Sequence, residues 1–533
     1  MVNKVPVLFD VNGVFGREAA GNNDCPVMAE RLAHMNRLGI SRSLVWNVET
    51  TQNHTLSANE HTLDAIAKTR GAKGRIYPAL NISGLIIYER NGVQKLKRQM
   101  VAGGTRALKF FNTWGRLSLS QLVPVISSIR AQKPFIVMGH SATNQQDILD
   151  FTARFPDVSL VITDVMWPTC IIVFDLMRQR KNIMLDISWL HTWEGIELAV
   201  KRFGAKRVVF GTGYRAHNGA AIAALSRAQI SEFDRQLIAH GNLDRLMGLK
   251  EKKTKAIAGT ANKGNSLWQK CLAGEKLGVD IIDAHAHLGP SAGYVLENQD
   301  EDDQIRVGKK VMGSLGMNLM VVSGLHALLG DPVFGNDFLA KKLKNHGSHF
   351  AAYVTFNPLY ADELVKKFNS YFNNPLFIGF KTLCSYWKVP ITDKRFEPMW
   401  RYANRHHLPM LMHSWGANID SPIMIDKLAK RYPNVSFLIG HSGGTYEGRE
   451  EAEKMGKKHP NVYLEWCGSF CNTRSWLDTL DKVGPRKVVF GTDAMVHGID
   501  WEIGRLLSLD VPDSIIRPIL GENMRRILAK RRK

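Results

Sequence analysis

Short, nearly unbroken apolar runs alternate along this chain with longer stretches in which apolar positions recur every three or four residues. The first pattern suits parallel strands covered on both faces, and the second suits amphipathic helices. In the second half the runs predict strands at 279–283, 319–323, 351–356, 377–382, 409–413, 436–441, 462–466 and 487–492. The first half predicts the same count, at 7–10, 43–47, 76–81, 106–110, 135–138, 159–163, 183–186 and 207–212. Eight strand-then-helix units per half predict an α/β chain of two tandem (β/α)8 TIM barrels.

The halves also share local sequence in one register. Arg154–Ile162 aligns with Arg431–Ile439, Val208–Thr212 with Val488–Thr492, Lys109 with Lys381 and Asn81 with Asn357, at offsets between 272 and 280. Such a register predicts a duplication of domain-sized units rather than a solenoid. The expected division is a first barrel over 1–250, a linker over 251–278 and a second barrel over 279–533. The linker opens with the polar stretches Lys250–Lys255 and Gly259–Ser266, and an amphipathic segment, Leu267–Leu277, follows.

Composition narrows the setting. With 44% hydrophobic and 22% charged residues, the chain has ample core for globular domains. Six cysteines without metal or disulfide-framework spacing fit a reducing compartment, and Cys467 and Cys471, the closest pair, read as ordinary thiols. No signal-peptide pattern and no apolar run of membrane-spanning length is present, so a cytoplasmic location without membrane association is expected. The net charge of +21 is spread widely, with one cluster at Lys530–Lys533. Without aromatic interleaving it predicts a solvated surface, not a nucleic-acid partner.

The chemistry concentrates at the predicted strand ends of the second barrel, which converge on one mouth. They carry His285 and His287 on strand one, Lys381 on strand four, His413 on strand five, His441 on strand six and Asp493 on strand eight. Two imidazoles at i and i+2 point the same way, and four histidines with an aspartate predict a metal site. Trp415, Arg449, Arg474 and His497 lie near the mouth in sequence; Arg449 and Arg474 are candidate carboxylate binders, and Trp415 a candidate wall for a flat substrate. The matched positions of the first half are Asn12, Val14, Met138, Asp164 and Gly213, with His140 and His217 nearby. That copy is therefore expected to bind no catalytic metal.

The segments Asp283-Ala-His-Ala-His287, Met412-His-Ser414, Ile439-Gly-His-Ser-Gly-Gly444 and Phe490-Gly-Thr-Asp493 resemble the amidohydrolase superfamily, in its branch related to aminocarboxymuconate semialdehyde decarboxylase. The resemblance covers 279–533 and extends to 1–250 as fold only. It implies that His285, His287, His413 and Asp493 hold a zinc-like divalent ion, with manganese or iron as alternatives. It implies a role for His441 as general acid/base, with Asp493 sharing in proton transfer. Lys381 stands where binuclear relatives carry a metal-bridging lysine. Lys109 holds the same place in the copy without histidines, which favours a substrate-carboxylate or structural role instead. The expectation is a metal-dependent hydrolase of a small, carboxylate-bearing substrate. The alternatives are a non-oxidative decarboxylase and a non-enzymatic metal-binding scaffold. Relatives working as dimers of one barrel imply that the halves pair within the chain, with further homo-oligomerisation open.

Overall fold

The computed structural model describes residues 7–17, 25–51, 53–112, 117–213, 219–249, 259, 266–291, 293–297, 299–416, 419–468 and 473–532. The chain forms two compact units, Met1–Lys263 and Gly264–Lys533.

In the second unit eight parallel strands follow one another in chain order: β10 (Ile282–Leu288), β11 (Leu319–Gly324), β12 (Phe350–Thr355), β13 (Phe377–Thr382), β14 (Pro409–Met412), β15 (Ser436–Ile439), β16 (Val462–Trp466) and β17 (Val488–Phe490). The apolar runs predicted seven of the eight closely, because each is buried along nearly its whole length and so lacks alternation. The first runs Ile282–Leu288 rather than 279–283, because it carries the buried polar residues Asp283, His285 and His287 beyond the apolar run. The first strand meets the segment after the last through a parallel bridge between Ala286 and Ala494, and the sheet curls into a near-barrel. Ile282, Val321, Tyr353, Ile378, Leu411, Leu438, Tyr463 and Val489, one from each strand, share a core that Met524 and Ile527 of the C-terminal helix complete. That core fills the end away from the histidines and fixes the strands that carry them. The amphipathic segment before the barrel folds as the helix Ser266–Leu272, with Leu267, Trp268, Cys271 and Leu272 buried.

The first unit has the same run of parallel strands with one break: β1 (Leu8–Phe15), β2 (Ile40–Asn47), β3 (Ile76–Pro78), β4 (Leu80–Ile82), β5 (Ala107–Phe110), β6 (Phe135–Gly139), β7 (Leu160–Thr163), β8 (Ile183–Asp186) and β9 (Val208–Val209). They form a three-stranded sheet, β1–β3, and a six-stranded sheet, β4–β9. This corrects the expectation of a third strand running from Ile76 to Asn81 in one eight-stranded sheet. Pro78 has no N–H to donate, and the ladder divides just after it at Ala79. Two backbone bonds link the sheets, Ala79 N–H to the Val45 carbonyl and Val11 N–H to the Phe210 carbonyl, each 2.9 Å.

Among the described residues no helix is long and apolar enough to cross a membrane. Most of the polar connector from Lys250 to Ser266 lies outside the described residues, as do His217 and Cys471.

Candidate metal centre

The last residues of β10 carry the first two imidazoles, and the loops just past β14, β15 and β17 carry the other groups. His285 is fully buried, and its carbonyl accepts the Asp493 N–H at 2.7 Å. His287 Nε2 lies 2.8 Å from Asp493 Oδ1, and His285 Nε2 lies 3.6 Å from the same oxygen. One donor atom from each of the three falls within 4.8 Å of the others. His441 and Asp493 take left-handed backbone conformations, with φ of 55° and 58°, which turn the chain sharply at the strand ends. Non-glycine residues adopt such φ at a cost of about 1–3 kcal/mol, and the surrounding structure must hold them there.

A carboxylate absent from the predicted set organises this cluster. Glu465, on β16 and fully buried, accepts from His285 Nδ1 at 2.8 Å and from the His441 N–H at 3.0 Å. Gly491 makes room for it: a Cβ there would stand 2.1 Å from Glu465 Oε1 and 2.8 Å from His285 Cβ. On the other side Lys381 Nζ lies 2.7 Å from His285 Nε2. With Nδ1 donating to Glu465, Nε2 carries the lone pair, the tautomer this network assigns. His413 is arranged alike, with Nδ1 on Asp420 Oδ2 at 2.7 Å. Its ring stands 5.0 Å from that of His441, so it flanks the three-residue group. Histidines that bind metals are typically oriented by a carboxylate on the far nitrogen, and both imidazoles meet that requirement. The donor set therefore fits a divalent ion held by His285, His287 and Asp493, with His413 alongside.

Burial sets the protonation states. It holds His285 well below the usual imidazole range, and pushes His441 down to about 3. Burial would raise Asp493, but the hydrogen bond from His287 and the nearby imidazoles outweigh it and hold this carboxylate well below its usual range. Burial lowers Lys381 to about 8, against the pull of Asp493 and Glu465. Neutral imidazoles around an anionic carboxylate are the states a metal requires.

The remaining predicted residues divide. Trp415 stacks near His413, with centroids 6.2 Å apart, and meets His441 edge-on at 5.4 Å. It packs over Gly444, where a Cβ would lie 2.4 Å from the indole. His497 Nδ1 is 3.2 Å from Glu502 Oε1, and its Nε2 is 4.0 Å from Asp493. Arg449 differs from expectation: it is buried in an ion pair with Glu453 one helical turn on, and also reaches Thr479 Oγ1 at 3.3 Å. Its charge is already balanced, which leaves no free guanidinium for a substrate. Arg474 is exposed in the first turn of the helix Thr473–Val483.

The first unit repeats the frame without the ligands. Asp283 accepts from the His285 and Thr492 N–H groups at 3.0 Å each. Asp10 accepts from Asn12 at 2.9 Å and from Thr212 at 3.0 Å. Asn12 stands in the place of His285, with Lys109 Nζ 3.2 Å from its oxygen and Asp186 3.5 Å from its Nδ2. Asp186 thus answers to Glu465. Gly211 makes room for it, since a Cβ there would lie 2.3 Å from its Oδ1. Asp164 and Gly213 keep the positive φ of His441 and Asp493, at 62° and 79°.

Residues 282–530 match the family model described as amidohydrolase, which spans nearly all of the second unit. That match supports a metal-dependent enzyme in the second unit. No curated protein matches the chain. Solved structures that resemble it include 5-carboxyvanillate decarboxylase from Sphingomonas paucimobilis, 12% identical, covering 47% of this chain and 99% of that one at a TM-score of 0.37. A second is 2,6-dihydroxybenzoate decarboxylase from Rhizobium, 15% identical, covering 47% and 98% at 0.36. A third is a dihydroxybenzoic acid decarboxylase from Polaromonas with bound manganese and 2-nitroresorcinol, 15% identical, covering 47% and 97% at 0.36.

Proposed function

We propose that the second unit is a metal-dependent hydrolase acting on a small, carboxylate-bearing substrate, and that the first unit is a copy of the same barrel that has lost its ligands. The convergence of His285, His287 and Asp493 in front of the buried Glu465 carries this reading. A zinc-like ion held there would supply Lewis-acid polarisation of a water or of a substrate oxygen. The chain's own residues do the rest. His441, held neutral by burial and 4.9 Å from the His285 ring, would take a proton only from a water that the ion has acidified, with Asp493 favouring its charged form, and return it to the leaving group. Asp493, anionic across the neutral range, orients His287 and shares that proton. Lys381 puts a buried cation beside His285, where a substrate carboxylate would be neutralised, and Trp415 walls the entrance.

The Lys381 position also favours a second reading, a carboxy-lyase. The same cation would hold the departing carboxylate while His441 delivers a proton to the carbon that loses CO2. Product analysis on carboxylated aromatics and on cyclic amides or lactones in 18O-water separates the two. Label in the product supports the hydrolase, and CO2 release without label supports the carboxy-lyase. A purified protein without metal and inert on both classes would favour the scaffold instead.

A further inference from the structure

Behind the group of His285, His287 and Asp493 lies a second cluster, of which the chemistry above leaves Cys467 unused. Cys467, just past β16, is fully buried. Its Sγ lies 3.3 Å from His285 Nδ1, 3.4 Å from His441 Nδ1 and 3.4 Å from Glu465 Oε2. Glu465 Oε2 and His285 Nδ1 are 2.8 Å apart, and one donor atom from each of the four residues falls within 4.8 Å of the others. Tetrahedral zinc with metal–ligand distances of about 2.0–2.3 Å holds its donors about 3.3–3.8 Å apart. Three of these edges match that figure, and the fourth opens by about half an ångström once the proton between its atoms is gone. Gly468, with φ of 55°, lets the chain pass: a Cβ there would stand 3.2 Å from His441 Nδ1.

We propose that Cys467, Glu465, His285 Nδ1 and His441 Nδ1 form a second, deeper site for a thiophilic divalent cation such as zinc or cadmium. A thiolate and a carboxylate neutralise a dication in this dry pocket, and sulfur with imidazole selects soft metals over magnesium, calcium or manganese. Binding releases the Cys467 thiol proton, and the His285 Nδ1 proton is replaced by one on Nε2, so the imidazole stays neutral. A neutral imidazole has one lone pair, so His285 offers either Nε2 to the front cluster or Nδ1 to the deep one. The two sites therefore compete through one tautomer. Excess thiophilic metal withdraws His285 from the front group and switches the enzyme off, whichever reaction the front site performs.

The test is a titration of the full-length chain, stripped of metal, with cadmium. It reads the ultraviolet cadmium–thiolate charge-transfer band together with bound metal. Wild-type protein should show the band saturating near one equivalent. Cys467→Ser and Cys467→Ala should lose the band and still bind metal at the front, and His287→Ala should keep the band. Metal bound without a thiolate band in the wild type, or a band unchanged in both Cys467 variants, would overturn the deep site and leave the front site standing. No metal bound at all would overturn both.

Discussion

Glu465 should set the affinity of the front site without touching the ion held there, as read in a Cys467→Ala background where the deeper site does not contribute. Its Oε2 takes the Nδ1 proton of His285 at 2.8 Å and the backbone N–H of His441 at 3.0 Å, with both imidazoles buried. Burial raises Glu465 to about 8 against the pull of Lys381, and a bound dication would draw that proton off; Glu465→Gln keeps the shape and an acceptor oxygen but cannot ionise. A charge-assisted hydrogen bond is worth about 1 kcal/mol more than a neutral one, so affinity should fall about fivefold. Glu465→Ala removes the acceptor and leaves His285 free to rotate or change tautomer. Loss of such an orienting partner costs about 10–100-fold in metal affinity, or about 1.4–2.7 kcal/mol. The assay is competition for zinc against a chromophoric chelator, with a thermal melt of each metal-free variant to confirm folding. The expected order is wild type, then Gln, then Ala. A folded Ala variant that binds zinc as tightly as wild type would refute the reasoning, because His285 would then need no orienting carboxylate.

His441→Asn should cut turnover by about a hundredfold or more while keeping most of the metal at the front site; front-site metal loss as steep as for His285→Ala would make it a ligand there instead. Lys381→Ala should raise KM more than it lowers metal content, and anomalous scattering from two metals adjacent to Lys381 would reverse that assignment. In the first unit, burial raises Asp186 to about 7 from an ordinary 3.8. Between those values the unfolded chain releases a proton that the folded one keeps, so stability is full below about pH 4 and is lost as pH rises towards 7. Hydrogen exchange of the β8 amides at pH 5 and 7.5 should show that loss, and Asp186→Asn should flatten it. Residues 264–533 expressed alone, which keep the helix Ser266–Leu272, should aggregate or work poorly, with partial rescue by residues 1–263 in trans; a monodisperse, fully active fragment would remove any subunit role for the first half.

The histidines were legible because a barrel turns strand order into spatial order, so strand position alone assigns groups scattered over about 200 residues to one mouth. Glu465 was not, although a signal existed. It is the single charge inside the buried run Val462–Trp466, and it stands 279 residues after Asp186, within the register of the other matches. A charge in a strand covered on both faces needs a partner, and His285 is that partner. Asp420 gave no such sign, because a loop carries no periodicity to fix where its side chains go. Arg449 misled for a local reason: Glu453 four residues on captures it along its own helix.

The frame around Asn12 has one more consequence. Lys109 and Asp186 grip that amide much as Lys381 and Glu465 grip an imidazole, and Gly213 already adopts the backbone turn that Asp493 needs. On the reading proposed above, the first unit resembles a socket without its fitting. For such a scaffold, losing a reaction and regaining one are steps of similar size. Each needs a few side chains at strand ends and no rearrangement of the strands, so this half is a natural place to graft a new centre beside a working one in the same chain.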